Sequence, residues 1–240
     1  MKISIITSTF NSEKYLEENL KALYKQDYKD FEHIIYDNCS TDRTHEIFEK
    51  FKDNRTKLFI EKDEGIFFAL NKCLKKVTGD IIFLYCSDDQ IIDKNLFSKV
   101  NKVYNSNKDI IASNVKIVDE NSFKTKRLWL SPKKIGKIYL PAHTGLFIGS
   151  FYKNYFFDEN YRIASDFKYL RNIFRDENVN YKILDITSVS QRDGGNSTKI
   201  KNQFNKAIED LKILNEEKFL NIFLYPLKIL YKIKQYITYG

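Results

Sequence analysis

Residues 61–89 read EKDEGIFFALNKCLKKVTGDIIFLYCSDD. The stretch opens on a polar turn, Glu61–Gly65, and passes into a helix-spaced run carrying Ala69, Leu70, Cys73 and Leu74. Gly79 stops that run, and the most apolar segment of the chain, Ile81–Tyr85, follows and ends on two adjacent carboxylates, Asp88 and Asp89. A short apolar run entered from a helix reads as a strand covered on both faces, as in parallel sheets. Toward the N-terminus the same alternation repeats. Ile3–Ser8, His33–Asp37 and Lys57–Glu61 read as strands. Ser12–Gln26 (Leu16, Leu20, Leu23), Thr41–Lys52 (Ile47, Phe48, Phe51) and Ile66–Lys76 read as helices. Short connections between alternating elements imply right-handed crossovers and an α/β fold with a mainly parallel central sheet flanked by helices. Ligands in such sheets bind outside the carboxyl ends of the strands. Three polar ends converge there: Thr7-Ser8-Thr9, Asp37-Asn38 and Ser87-Asp88-Asp89.

Toward the C-terminus the alternation breaks. Ile110–Val118, Leu146–Gly149 and Tyr181–Gln191 read as strands, Asp166–Glu177 as a helix, and Lys124–Pro141 as basic and irregular. This part reads as a smaller lobe of mixed strands over the sheet edge. From Lys199 the pattern is helical, and from Phe219 it is aromatic and apolar with Lys228, Lys232 and Lys234 interleaved. The expected organisation is 1–112, 113–198 and 199–240.

The 240 residues suffice for a sizeable core, and 42% hydrophobic with 15% aromatic residues excludes a disordered chain. Three scattered cysteines lack zinc-ligand spacing and suit a reducing compartment. The opening MKISIITSTF is too short in its apolar part for a signal peptide, so a cytoplasmic protein is expected. The net charge of +8 comes mostly from isolated lysines interleaved with acids, with no Arg-rich stripe or aromatic RNA-binding motif, which argues against nucleic acid. No run of ~20 uncharged residues exists to span a bilayer. The C-terminal segment instead suits either peripheral contact with an anionic membrane surface or packing on the core or a partner subunit.

Two adjacent carboxylates repel, and stay ionised at low cost beside a cation or strong hydrogen bonds. Asp88-Asp89 is therefore either a capping turn or a site for Mn2+ or Mg2+, hard ions that take oxygen ligands and bridge to phosphates. Asp37 closes a β-branched strand, where a carboxylate can accept from a base or ribose, while Ser40–Asp42 are also ordinary turn residues. Gly65 permits close backbone approach. Neither GxxxxGK[ST] nor GxGxxG is present, which disfavours a P-loop or dinucleotide site.

With these residues in place, the sequence resembles the family 2 glycosyltransferases of the GT-A fold, in particular short bacterial capsule, lipopolysaccharide and O-antigen members. ISIITSTFN, HIIYDNCSTDRT, the 61–89 block and FDENYRIASDFKYL match in order and spacing, from residue 3 to about 197. The resemblance implies a donor-binding half over 1–112, an acceptor-binding half with the catalytic base over 113–198, and C-terminal helices over 199–240. It implies that Thr7, Thr9 and Asn11 line the nucleotide entrance and that Asp37 contacts the base. Asp63 and Gly65 would meet the nucleoside with Asn71 in support, Asp88 the ribose or sugar, and Asp89 the metal. Asp166 matches the family's catalytic base; without the family it reads as a helix N-cap.

The implied reaction is an inverting, single displacement that moves one sugar from a nucleotide-diphosphate sugar, a UDP-sugar by family frequency. The acceptor would be a saccharide or a polyprenyl-diphosphate-linked saccharide, in cell-surface polysaccharide biosynthesis. A silent nucleotide-sugar-binding scaffold and a sugar nucleotidyltransferase are the alternatives. Where many relatives have QxxRW, this chain has Ser190-Gln191-Arg192-Asp193-Gly194-Gly195, the loop type of the short members. His143, in Pro141-Ala142-His143, and Arg192 are candidates for the acceptor or the diphosphate, with simple packing of His143 the other reading. Gly65-Ile66-Phe67-Phe68 replaces the usual Gly-Ile-Tyr-Asp and removes a polar group beside the donor.

Overall fold

A computed structural model describes residues 1–133, 140–193, 200–217 and 223–239. In chain order the first elements are β1 (Ile3–Thr9), α1 (Glu13–Tyr24), β2 (Phe31–Asp37), α2 (Thr44–Phe51), β3 (Thr56–Ile60), α3 (Ile66–Leu74) and β4 (Ile81–Leu84). These match the sequence expectation, with bounds moved by a few residues. β1 lies between β2 and β4 and is parallel to both, and β3 is parallel to β2. Both faces of β1 are covered: Ile3 and Ile5 join Phe83 and Phe97 on one side, and Ile6 joins Ala69, Leu70 and Cys73 of α3 on the other. That two-sided burial is why the strands read as continuous apolar runs rather than alternating ones.

The second half continues the same sheet. It comprises β5 (Gln90–Ile91), α4 (Leu96–Val103), β6 (Asp109–Asp119), β7 (Thr125–Trp129), β8 (Leu146–Gly149), a 3-10 turn (Ser150–Asn154), α5 (Ser165–Ile173) and β9 (Asn180–Asp193). The helices α6 (Ile200–Glu217) and α7 (Tyr225–Tyr239) end the chain. The strand order is β3-β2-β1-β4-β8-β6-β9-β5, with β7 hairpinned onto β6. β8 runs antiparallel to both β4 and β6, while β6 and β9 are parallel. The sheet is thus parallel over its first four strands and mixed beyond them. Close passage at β8 requires Gly149, where a Cβ would lie 2.1 Å from the Asn107 carbonyl oxygen.

One expectation needs correction, and one boundary lies within a strand. The stretch from Lys124, read as irregular, holds β7, whose Thr125–Trp129 pair with β6 despite their charge. The boundary expected at residue 112 falls inside β6, so residues 1–112 and 113–198 share one sheet.

Candidate functional site

The carboxyl ends of β1 and β4 open into a cavity of about 300 Å³. Successive residues of a strand point to opposite faces, so Ile6 and Ser8 of β1 reach the cavity while Thr7 does not. Cys86, Ser87 and Asp88 bring the end of β4 to it, and Ile66, Phe67 and Leu70 of α3 form an apolar wall. The opposite side comes from the second half: His143, Arg162, Ile163, Asp166 and Gln191.

Asp166 is the second residue of α5 and is not its N-cap, a place taken by Ala164. The backbone N–H groups of Arg162, Ile163 and Ala164 donate to the Glu209 carboxylate of α6 at 3.1, 2.9 and 2.7 Å. Glu209 therefore satisfies this turn, and Asp166 stays turned to the cavity. One Asp166 oxygen lies 3.1 Å from His143 Nδ1 and the other 4.0 Å from Lys206 Nζ. Burial opposes the charge of Asp166, but Lys206 and His143 hold its pKa well below the usual carboxylate range. His143 moves the other way. Burial disfavours its cation, yet the Asp166 hydrogen bond and charge raise its pKa.

The acidic pair divides. Asp88 is half-buried on the cavity wall and forms no side-chain pair among the described residues. Burial raises its pKa, against the lowering fields of Arg192 and His143. Asp89 is 2% exposed and absent from the cavity wall. Its Oδ2 accepts from Thr144 Oγ1 at 3.3 Å, its Oδ1 has no partner, and its pKa is pushed up to about 8 by burial and then by the charge of Asp88. Asp88 is thus the carboxylate of the pair that faces the cavity, while the turn after β4 sends Asp89, the expected metal ligand, inward. A hard divalent cation suits an oxygen ligand such as the Asp88 carboxylate, with Asp89 buried behind it. Among the described residues no group of three metal-ligating side chains forms, so further ligands for such an ion must come from elsewhere, as with phosphate oxygens.

Several residues expected at the donor make hydrogen bonds within the framework. Thr7 is fully buried, donates to the Tyr85 carbonyl at 2.7 Å and lies 2.9 Å from His33 Nε2. Thr9 donates to Ser12 Oγ at 2.8 Å. Asn11, at φ 47°, accepts from the Thr41 N–H at 2.9 Å and so ties the loop after β1 to the loop after β2. Asp37 is 0% exposed: it accepts from the Ser40 N–H and hydroxyl at 2.7 and 2.6 Å, and pairs with His45 at 2.6 Å. Asn71 clamps residue 157, donating to the Phe157 carbonyl and accepting from its N–H, both at 2.9 Å. A buried amide or carboxylate must spend its hydrogen bonds on neighbours, and those of Asp37 and Asn71 have done so. Asp63 accepts from the Gly65 N–H at 2.8 Å. Gly65 caps α3 at φ +144° with nothing within 4 Å of a would-be Cβ, so its surroundings are open. Arg192 lies off the cavity wall, its guanidinium between the rings of Tyr15 and Phe123 and 2.8 Å from Glu18. Gly194 and Gly195 of the same motif fall outside the described residues.

The sequence reading named Ser8 and Gln191 without giving either a role, and it missed His45, Lys206 and Glu209. Strand parity applied to β1 was enough to place Ser8 on the cavity. No local signal marks Lys206 or Glu209, which reach α5 from 40 or more residues away.

Residues 4–187 match the model of glycosyl transferase family 2. The poly(ribitol-phosphate) beta-N-acetylglucosaminyltransferase TarS of Staphylococcus aureus (strain MW2) is 39% identical over 102 residues, 40% of this chain and 18% of that protein. The UDP-Glc:alpha-D-GlcNAc-diphosphoundecaprenol beta-1,3-glucosyltransferase WfgD of Escherichia coli is 30% identical over 134 residues, 55% of this chain and 52% of its own. The matches therefore span about half or less of these relatives. The structure of S. aureus TarS 1-349 with UDP-GlcNAc superposes with a TM-score of 0.69 at 22% identity, covering 90% of this chain and 66% of that one. The mannosyltransferase PcManGT of Pyrobaculum calidifontis, solved with GDP-Man and Mn2+, gives 0.65 at 18% identity over 90% and 63%. Both share the fold.

Proposed function

The chain belongs to glycosyl transferase family 2, and on that premise we propose that it is an inverting glycosyltransferase moving one sugar from a nucleotide-diphosphate sugar, a UDP-sugar, to a saccharide hydroxyl. The observation that carries this reading is that Asp88 and Asp166, from opposite halves of the sheet, line one cavity at its carboxyl edge. The donor lies along the ends of β1 and β4, with Ser8 and Ser87 beside it and the open approach at Gly65 for its nucleoside end. Arg162 is the cationic side chain on that cavity able to face the diphosphate. Asp63, with one oxygen holding Gly65, keeps the other for the nucleoside. Asp37, Thr7, Thr9 and Asn71 shape this edge from behind, and Asn11 is exposed on the loop after β1.

Asp166 is ionised and turned to the cavity, so it removes the acceptor hydroxyl's proton as that oxygen bonds the anomeric carbon and the bond to the diphosphate oxygen breaks. The proton ends on Asp166, the electron pair on the diphosphate. A bound Mn2+ or Mg2+, held by Asp88, would supply positive charge beside that leaving group. Support for metal and donor comes from the fold relatives solved with UDP-GlcNAc and with GDP-Man and Mn2+. The acceptors named for TarS and WfgD, a ribitol-phosphate polymer and a diphosphoundecaprenol-linked sugar, point to a phosphate-bearing acceptor in cell-surface polysaccharide assembly. Such acceptors suit a cytoplasmic protein peripheral to the membrane. A silent scaffold or a nucleotidyltransferase is disfavoured, since neither has use for an ionised, uncapped Asp166.

The test is thermal stabilisation by UDP-, GDP- and dTDP-sugars with Mn2+. A UDP-sugar should raise the melting temperature only with metal, and Asp88→Asn should abolish the metal's contribution while Asp89→Asn retains part of it. No response to any nucleotide sugar would sink the proposal.

A further inference from the structure

A second cavity, of about 410 Å³, meets the first at three residues only: His143, Asp166 and Gln191. The reacting carboxylate thus stands at the junction of two chambers. Its far wall is built by α6, α7 and β7, and its charge is lopsided. Lys206, Lys228 and Lys232 face it with the carboxylates of Asp166 and Asp210 among the described residues of its wall, and Arg127, also on the wall, lies 4.0 Å from Asp193. Asp210 is shared, 2.8 Å from Lys228 Nζ and 4.0 Å from Lys206 Nζ, and Lys206 is also the 4.0 Å neighbour of Asp166. Lys232 has no carboxylate partner among the described residues.

The helix carrying two of these lysines is inverted relative to an ordinary surface helix. Lysine usually buries its stem and keeps its charge in water. Here Lys228 is 6% exposed, while Leu227, Leu230 and Ile233 of the same helix are 44%, 59% and 45% exposed. Positions 228 and 232 share a helix face at a spacing of four residues, and that face is the one turned inward. Burial lowers Lys228 to about 7, with Lys206 and Lys232 contributing, and Lys232 is lowered by burial and then by Lys206. Crowded, desolvated ammonium groups without enough counter-charge are costly, and a bound anion removes that cost. Trp129 and Tyr231, edge to face at 6.2 Å on the same wall, add an aromatic surface of the kind that takes an amphipathic group.

We propose that this second cavity seats the phosphate or diphosphate group of the acceptor, with the hydroxyl to be glycosylated reaching Asp166 at the junction. The assignment rests on reading the chain as a glycosyltransferase, and deepens it by giving the acceptor a charged anchor. The arrangement separates the two anions of the reaction: the donor's diphosphate at Asp88, the acceptor's phosphate at the lysines, and the base between them.

The experiment is calorimetric titration of the full chain saturated with UDP and Mn2+, so that the donor cavity is filled. The probes are farnesyl diphosphate-linked N-acetylglucosamine, a ribitol 5-phosphate trimer, and octyl N-acetylglucosaminide, which has no phosphate. At least one phosphate-bearing probe should bind tenfold or more tightly than the octyl glycoside. Lys232→Gln, and separately Lys228→Gln, should erase that advantage without changing UDP affinity. Which phosphate probe prevails distinguishes a lipid diphosphate from a polyol phosphate. Equal binding of the octyl glycoside, or an advantage untouched in both folded variants, overturns the proposal. Failure of UDP itself to bind would strike the donor reading instead.

Discussion

Asp166 shows how much a single side chain's role depends on what relieves it of another. In sequence it is a carboxylate at a helix start, a place where Asp commonly caps. Here Glu209 satisfies the three N–H groups before the helix, and Asp166 is left ionised between His143 and Lys206. Asp166→Asn should therefore lower transfer by about 10²–10⁴-fold with UDP-sugar affinity unchanged, measured by turnover and by titration on one preparation. A loss of donor affinity equal to the loss of rate would place the residue in binding rather than in proton transfer. His143→Ala removes a cation that favours the Asp166 carboxylate, so the Asp166 pKa rises. The acid limb of the pH–rate profile should then move to higher pH than in the parent; an unmoved limb would mean that Asp166 does not set it.

Among the elements, two glycines make separable demands, Gly65 beside the cavity and Gly149 at the opposite end of β4. Gly149 ends β8 where the Asn107 carbonyl would lie 2.1 Å from a Cβ, a backbone atom that cannot swing aside. Gly149→Ala should cost on the order of 1–3 kcal/mol or more, as overpacking does, read from denaturant unfolding. Gly65 has open space but φ +144°, so Gly65→Ala meets strain of about 1–3 kcal/mol and no clash. Its effect should appear also as weakened donor affinity, because the cap of α3 sits at the cavity's rim. If Gly65→Ala melts earlier than Gly149→Ala, the ordering of strain and clash is wrong. β7 teaches the complementary lesson about legibility. TKRLW carries two cations in five residues and reads as irregular, yet it pairs as a hairpin onto β6. Its pairing partner supplies the order that its composition does not.

Across the whole molecule, Glu32 ties the sheet's parallel half together. Its buried carboxylate accepts from Ser4 Oγ at 2.7 Å and from the Thr78 N–H and hydroxyl at 2.8 Å, and pairs with Lys57 Nζ at 2.8 Å. Burial opposes its ionisation, but these partners bring its pKa down to about 2. A depressed carboxyl stabilises the fold above its unfolded value, about 4.3, and that contribution is lost as pH falls toward about 2. Glu32→Gln should lower stability at pH 7 by about 2 kcal/mol and flatten the acid side of the stability curve; equal acid sensitivity in parent and variant would refute the assignment. The C-terminal helix makes a second global prediction. No helix among the described residues is long and apolar enough to cross a membrane, but α7 presents Leu227 and Leu230 outward. Leu227→Ser with Leu230→Ser should reduce binding to anionic liposomes with little change in melting temperature. Undiminished binding would move any membrane contact elsewhere, including to residues 218–222, which lie outside the described residues.

The order of strands and helices through β4, and the convergence of polar strand ends at one edge, follow from the sequence alone. Both are consequences of local periodicity: two-sided burial makes strands β1, β2 and β4 apolar throughout, and helical spacing marks α1 to α3. The family motifs likewise pointed to Asp88, Asp89 and Asp166 as the residues worth weighing. What only the tertiary structure decided is which of them faces the cavity. A turn after β4 sends Asp89 inward and leaves Asp88 on the wall. Asn71 spends its polar atoms on neighbours that the sequence places 86 and 88 residues away. Lys228 of α7, which along the sequence lies among apolar residues and suits a membrane-facing surface, turns inward to Asp210. Facing direction and hydrogen-bond partnership are non-local properties, fixed by which elements pack together, and no periodicity within one element encodes them.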